Sequence, residues 1–332
     1  MDGRQRIRLA GLDPRIDPGR RQKTAKLRDR TPLGCGDLFR ELLERKGVLV
    51  ADGAMGTTLF GMGLESGDCP ERLNLEQPEM ISEVHRRFVE AGADLLLTNT
   101  FGGNRRRLAL HGLEDRVAEF NRAGVAIGRK VASDAGRAVA VAADVGPTGD
   151  LFEPLGPLSH GEGVEVFREQ MEALVEAGAD VLWIETLSSW EEIAAATRAA
   201  AAFDVPCAVT LSFDTNGRTM MGLRPSEFGQ WWAALPPDGR PAALGANCGI
   251  GLEEALEAAA DIADHAQEAC VIVKSNCGIP VYEGGGLTYP QGPDLMASYA
   301  RRAVEAGCRI IGACCGSTPL HIQEIRSALS TS

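Results

Sequence analysis

The chain alternates between two textures. Short, almost unbroken apolar runs at 48–52, 94–98, 138–144, 180–185, 207–212, 242–247, 270–275 and 309–313 are separated by longer stretches whose apolar residues return every three or four positions. Runs of the first kind read as strands buried on both faces, and stretches of the second as amphipathic helices. Clear helical examples are "PEMISEVHRRFVEAG", "GVEVFREQMEALVEAG" and "DLMASYARRAVEAG". A phrase recurs at the junctions: "EAGADLLLTNT" (90–100), "EAGADVLWIET" (176–186) and "EAGCRIIGACC" (305–315). In each, a helix meets a glycine stop, and an apolar run then ends in polar residues. Gly92, Gly178 and Gly307 fit the left-handed position that closes a helix, and Ser189 fits the N-cap before "WEEIAAATRAAA". Residues 37–46 predict a further helix ahead of the first strand. Eight strand–helix alternations predict an α/β protein, a closed (β/α)8 barrel of parallel strands, in preference to an open doubly wound sheet.

In such a barrel the chemistry lies where the strands end. Those ends read Asp52, Thr98-Asn99-Thr100, Asp144, Glu185, Ser212 with Asp214, Asn247-Cys248, Asn276-Cys277 and Cys314-Cys315.

Composition narrows the picture. The 332 residues carry net charge −12, yet residues 1–30 hold ten Lys or Arg against four Asp. The body is therefore strongly acidic, which argues against nucleic acid as a partner. Residues 1–36 predict a basic, disordered extension, and 37–332 the barrel domain. No apolar run approaches the ~18 residues of a membrane span, and the first residues lack the apolar segment of a secretory signal. Nine cysteines, an odd number, fit reduced thiols and a cytoplasmic protein.

Three of those cysteines fall at predicted strand ends: Cys248 in "LGANCGIG" and Cys314 and Cys315 in "GACCGST". Neighbouring residues of a strand point to opposite faces, but a chain already turning at Gly316 allows both adjacent sulfurs to converge. Three thiolates around one point suit a tetrahedral zinc with one open position. The competing readings are small buried fillers or a strained vicinal disulfide. Cys277, in "KSNCGIP", either stands apart or completes a structural four-cysteine site. Zn²⁺ with three thiolates carries net −1, which suits holding a substrate thiolate for attack on carbon better than activating water. A zinc hydrolase would use His or carboxylate ligands, and none of the five histidines ends a predicted strand.

Two carboxylates accompany the cysteines. Asp52 leaves the first strand in "VADGAMGTT", where the amides of Gly53, Ala54 and Met55 suit a carboxylate. Glu185 ends the fourth strand with Trp183 on the same face. Together they suit an amino-acid headgroup, with Asp52 and Glu185 to the ammonium. The plainer alternative is that each carboxylate caps a helix or braces a loop.

The ordered set "ADGAMGT", "TNTFGGN", "WIET", "GANCG" and "GACCG" resembles the homocysteine S-methyltransferase family over roughly residues 37–328. That family includes betaine–homocysteine methyltransferase and the homocysteine-binding module of cobalamin-dependent methionine synthase. The resemblance implies zinc ligands at Cys248, Cys314 and Cys315 and homocysteine contacts at Asp52 and Glu185. It implies methionine formation by direct attack of zinc-held homocysteine thiolate on a methyl donor. Ala313 and Ser317 replace the family's usual Gly and Thr around the cysteine pair. Betaine users resemble one another in an aromatic after the Glu, and here that residue is Thr186; Trp183, Tyr282 and Tyr289 are the candidates for a partial cation cage. The expected donor is a separate methylcobalamin protein of a split methionine synthase, ahead of betaine, with S-methylmethionine as a third choice. The competing non-catalytic reading is a barrel with a structural Cys₄ zinc. Oligomeric state is not legible.

Overall fold

Eight of the apolar runs form parallel strands in a computed structural model that describes residues 37–283 and 286–330. The basic arm expected at 1–36 lies outside the described residues. The strands are β1 (Leu49–Val50), β2 (Leu95–Leu97), β3 (Ala140–Val145), β4 (Val181–Leu187), β5 (Cys207–Leu211), β6 (Ala243–Cys248) and β7 (Val271–Ser275), followed by a small antiparallel hairpin, β8 (Val281–Glu283) and β9 (Gly286–Thr288), and then β10 (Cys308–Ala313). Their order around the sheet is β1-β10-β7-β6-β5-β4-β3-β2. The sheet closes between β1 and β2 through a parallel bridge from Ala51 to Leu95, where the Asp52 N–H donates to the Leu95 carbonyl at 3.1 Å. The result is the expected (β/α)8 barrel, with helices between successive strands. The hairpin β8–β9 was not anticipated from the sequence pattern.

The barrel strands are buried on both faces along most of their length, which is why their sequences read as continuously apolar. Leu95, Leu97, Ala140, Ala142, Val181, Trp183 and Ile272 pack inside the barrel. Their neighbours Leu96, Val141, Ala143, Leu182 and Val273 pack outward against the helices. Gly92, Gly178 and Gly307 adopt the positive φ that ends a helix, at 106°, 93° and 86°. Ser189 caps the helix Trp190–Ala200 as expected, accepting from the Glu192 N–H at 3.2 Å.

The aspartate of the recurring "EAGAD" has a role that its spacing did not disclose. Asp94 accepts the N–H of Val50 at 3.0 Å, and Asp180 accepts that of Val141 at 2.8 Å. Each carboxylate thus satisfies a backbone donor of the preceding strand at the bottom of the barrel. The Asp94 side chain is fully buried at the β1–β2 seam and meets Lys46 at 2.6 Å, Arg137 at 3.6 Å and also Arg326. The third copy of the phrase has Cys308-Arg309 instead, and Arg309 reaches back to the carbonyls of Gly47 and Leu43 at 2.8 and 3.2 Å. Among the described residues, no helix is long and apolar enough to cross a membrane.

Replacing Asp94 by Ala leaves the Val50 N–H and three cations without their shared acceptor. The variant is expected to lose about 3 kcal/mol of stability, read as a lower midpoint in chemical denaturation.

Candidate metal centre and active site

The two cysteine-bearing turns are built differently and meet at one point. Cys248, the last residue of β6, has φ 60°, and Gly249 after it has φ 77°. A non-glycine residue in the left-handed region is held there by its surroundings. Asn276 supplies much of the hold: its N–H donates to the Cys248 carbonyl at 3.1 Å and its side-chain amide to the Gly249 carbonyl at 2.7 Å. Its Oδ1 also accepts the N–H of Cys315 at 3.0 Å, so one residue braces both turns.

On the other turn, the Cys314 N–H still donates to Ser275 at 2.7 Å, and the chain then swings away from the ladder through Gly316 at φ 83°. A Cβ on Gly316 would lie 2.1 Å from Cγ of Tyr289, so only glycine permits this turn under the tyrosine ring. Strand alternation therefore stops one residue too early to separate the thiols.

Cys248, Cys314 and Cys315 bring their sulfurs within 4.8 Å of one another. Zn–S bonds of ~2.3 Å place sulfurs ~3.8 Å apart around a tetrahedral ion, a spacing that lies inside this limit. The protonation states agree. A contact with Cys314 works to lower the Cys248 pKa, but Cys315 and burial push it up to about 12. Contact with Cys248 and burial raise Cys314 well above the usual thiol range, although Cys315 works to lower it. Left alone, the three hold their protons at neutral pH, and a divalent cation is what would release them.

Cys277 does not join the group. It is fully buried, its N–H donates to the Cys315 carbonyl at 3.0 Å, and burial pushes its thiol up to about 12. It packs beneath the turn.

Directly below the sulfurs lies a layer of buried charge. Lys274 of β7 is level with Asn247 and Gly312 on the neighbouring strands, and the next residue, Ser275, is level with Cys248 and Ala313. The Lys274 ammonium is 3% exposed, 3.2 Å from Oδ1 of Asp52 and 5.7 Å from the centre of the Trp183 ring. Oδ2 of Asp52 accepts the N–H of Leu97 at 2.8 Å. The Trp183 indole N–H donates to Glu185 at 3.1 Å, which confirms that these two share a face. Asp144 is 7% exposed, and its Oδ1 has no partner.

Three carboxylates thus face one ammonium. Burial pushes Asp52 up to about 6, Lys274 opposing the shift. Burial, followed by the charge of Glu185, raises Asp144 well above the usual carboxylate range. Burial works against the charge on Lys274, yet Asp52 and Glu185 more than offset it and raise its pKa.

Several expectations take sharper form here. Glu185 does not cap the following helix, since Ser189 does. It precedes Thr186, held at φ 63° by Asn247, whose Oδ1 accepts the Thr186 N–H at 2.9 Å while its Nδ2 donates to the Thr186 hydroxyl at 2.7 Å. Asp52 braces the neighbouring strand β2, through the Leu97 N–H, and it faces Lys274 as well. Of the amides at Gly53, Ala54 and Met55, that of Ala54 donates to the Ser317 hydroxyl at 2.9 Å. The serine that stands in the cysteine motif thus ties the β1 turn to the β10 turn. Of the three candidate cage aromatics, Trp183 is fully buried beneath Lys274, Tyr282 is 73% exposed on the hairpin, and Tyr289 packs over Gly316 at the cysteine turn.

Sequence reasoning assigned no role to Lys274 or Asn276. The signal for the first was a lysine inside an apolar run, two residues past the inward-facing Ile272. A separate surface groove of about 590 Å³ between Arg105, Arg106, Glu162 and Glu169 lies away from this region. Its charges are largely matched, Arg105 with Glu169 at 2.7 Å and Arg106 with Asp150 at 2.6 Å.

Fold and site together define a parallel (β/α)8 barrel with a three-thiol group that could hold a metal above an acidic floor. Residues 49–329 match the sequence profile of the homocysteine S-methyltransferases, and the chain belongs to that family. It is 33% identical over 310 residues to the methionine synthase of Mycobacterium tuberculosis, and equally to that of Mycobacterium leprae, a match covering 89% of this chain. The chain spans only 25% of the length of either relative. The homocysteine methyltransferase MmuM of Escherichia coli, in its metallated form, superposes with a TM-score of 0.73 at 27% identity, over 87% of this chain and 99% of that one. A methyltransferase from Methanosarcina mazei shares the fold, with a TM-score of 0.55 at 12% identity.

The buried pair gives a direct test. Lys274→Met leaves Asp52 without its counter-charge and is expected to cost about 3–5 kcal/mol. Adding Asp52→Asn should restore part of that loss, because the uncompensated charge is gone. Urea denaturation of the two single variants and the double variant measures the coupling.

Proposed function

We propose that the protein is a zinc-dependent homocysteine S-methyltransferase that forms methionine by direct transfer of a methyl group to sulfur. The observation that carries this reading is the convergence of three sulfurs within 4.8 Å at the strand ends, with no imidazole or carboxylate in the group. A zinc ion held by Cys248, Cys314 and Cys315 would supply the positive charge that keeps a fourth, substrate sulfur deprotonated near neutral pH.

The chain's own residues do the rest. The acidic floor that includes Asp52 and Glu185 favours a cationic headgroup and so draws in an α-ammonium. The amides at Gly53 and Met55, where β1 turns into the helix Met55–Gly61, serve the α-carboxylate, with Ala54 fixed by Ser317. Asn276 and Gly316 keep the cysteine turns in place, so the sulfur is oriented before the donor arrives; such orientation is worth several kcal/mol of barrier. The new C–S bond forms as the donor's bond to the methyl carbon breaks, and the electron pair leaves with the donor. The product thioether is neutral and a weaker ligand than the thiolate it replaces.

For the donor we favour a methylcobalamin-bearing protein, as in a split methionine synthase. Two observations support it: the relatives at 33% identity are named methionine synthase, and Trp183, the largest aromatic near the site, has its face covered by Lys274. An onium donor such as betaine would rely on open aromatic faces. The chemistry fits a cytoplasmic enzyme.

Zinc X-ray absorption tests the metal assignment. Homocysteine is expected to replace one oxygen or nitrogen neighbour of zinc with sulfur. Alanine at Cys248, Cys314 or Cys315 should remove the metal and almost all turnover while the barrel still folds, and Cys277→Ala should keep the metal; loss of zinc from the Cys277 variant would return the structural four-cysteine reading.

The donor is tested by comparing methionine formation from methylcobalamin, betaine and S-methylmethionine. Turnover with methylcobalamin well above the other two is the expected result, and turnover with betaine alone would sink the split-synthase reading.

A further inference from the structure

An amino-acid substrate brings a carboxylate of its own. The layer beneath the sulfurs already holds Asp52, Asp144 and Glu185, all buried. A further carboxylate entering such a layer is repelled unless a cation meets it. Lys274 is a buried cation in that layer, and the reaction as described gives it no part.

Space is reserved for this lysine. On β7 it is level with Gly312 of β10, and β1 is the next strand beyond. The stem of Lys274 passes Gly312 to reach Asp52 at the end of β1. A Cβ on Gly312 would lie 3.1 Å from Cγ of Lys274 and 2.9 Å from the Ala51 methyl, so a side chain there would crowd the path. The ammonium stands 5.7 Å from the centre of the Trp183 ring, and the charges of Asp52, Glu185, Cys314 and Asp144 all bear on it.

The ammonium is only partly used. It has three N–H donors, and among the described residues it hydrogen-bonds one acceptor, Oδ1 of Asp52 at 3.2 Å. Buried donors are rarely left without a partner. Asp52 also has capacity to spare: Oδ2 holds the Leu97 N–H, and each carboxylate oxygen can accept a second hydrogen bond. The two side chains form a fixed plus–minus pair that is open at both ends. A zwitterionic headgroup is its complement. With the substrate ammonium at Asp52 and the substrate carboxylate at Lys274, the charges alternate.

We infer that Lys274 donates to the α-carboxylate of the substrate, beside the amides of the β1 turn, and selects thiols that carry a carboxylate as well as an amino group. Asp52 and Glu185 keep the ammonium in this arrangement. The inference rests on the reading of the site as one for a thiol amino acid, and it adds a charged donor to that site.

The test uses the whole chain loaded with Co²⁺, whose thiolate absorption reports sulfur arriving at the metal. Homocysteine is titrated against 3-aminopropane-1-thiol, the same molecule without its carboxylate. Both ligands carry the ammonium, so a change at Asp52 falls on both and cancels in the ratio of affinities. The unaltered protein is expected to prefer homocysteine. Lys274→Gln should cut that preference about 10- to 100-fold, the range for loss of one charged hydrogen bond. Continued binding of 3-aminopropane-1-thiol shows that the metal centre is intact. The double variant Lys274→Met/Asp52→Asn, which leaves no uncompensated charge, is measured in parallel in case the single variant disturbs the fold, and should lose the preference too. Asp52→Asn alone, with the lysine in place, should keep it. Full preference in both lysine variants, or equal loss in Asp52→Asn, overturns the inference and leaves the homocysteine reading standing. Equal affinity of the unaltered protein for the two thiols does the same. An unaltered protein whose spectrum responds to neither thiol overturns both.

Discussion

The active end of this barrel is organised by an imbalance of buried charge. Asp52, Asp144 and Glu185 share an interior in which Lys274 is their cation, and three thiols lie directly above. Unpaired charge away from water is expensive, so each group is held by something specific, and what is left over defines what the site accepts. Asp52 couples the two levels of organisation. Its side chain reaches from β1 to the Leu97 N–H of β2, across the seam where the barrel closes, and it also anchors Lys274. The same carboxylate completes the sheet and sets the charge of the site floor. A barrel that failed to close at β1–β2 would lose its floor as well.

The left-handed residues have a related logic. Cys248 and Thr186 take a conformation that costs a non-glycine residue on the order of 1 kcal/mol or more, and each is fixed by an asparagine from another strand end. Asn276 serves the first and Asn247 the second. In both cases the side-chain amide satisfies backbone groups freed by the irregular turn. The turn therefore keeps one geometry without losing hydrogen bonds, and the sulfur of Cys248 and the carboxylate of Glu185 inherit that precision.

Much of this was legible in the sequence. The eight apolar runs, the glycine stops and the strand-end inventory follow from burial and periodicity, which are properties of one chain segment at a time. The cysteines were legible for the same reason: three thiols at strand ends mean more than three anywhere else. What escaped depends on lateral neighbours. Lys274 reads as one odd letter in an apolar run until the register sets it beside Asp52. Trp183 looked free to face a donor until Lys274 was found over its ring, and Ala54 looked like a free amide until Ser317 arrived from the far end of the chain. The hairpin β8–β9 hid in a stretch between two strong signals, where the pattern holds neither a long apolar run nor a helical period.

The chemistry of the site follows from the donor set together with its floor. Three thiolates would neutralise a divalent metal held there and leave a small excess of negative charge, which would dampen its power to polarise water. Carboxylates beneath it add to the negative potential and favour a substrate that brings its own positive charge. A thiol amino acid would satisfy both demands, since its ammonium would meet the floor and its sulfur would tolerate an electron-rich metal. A hydrolytic substrate satisfies neither, because water activation calls for a more electrophilic centre and a base beside it, and the group here contains neither imidazole nor carboxylate.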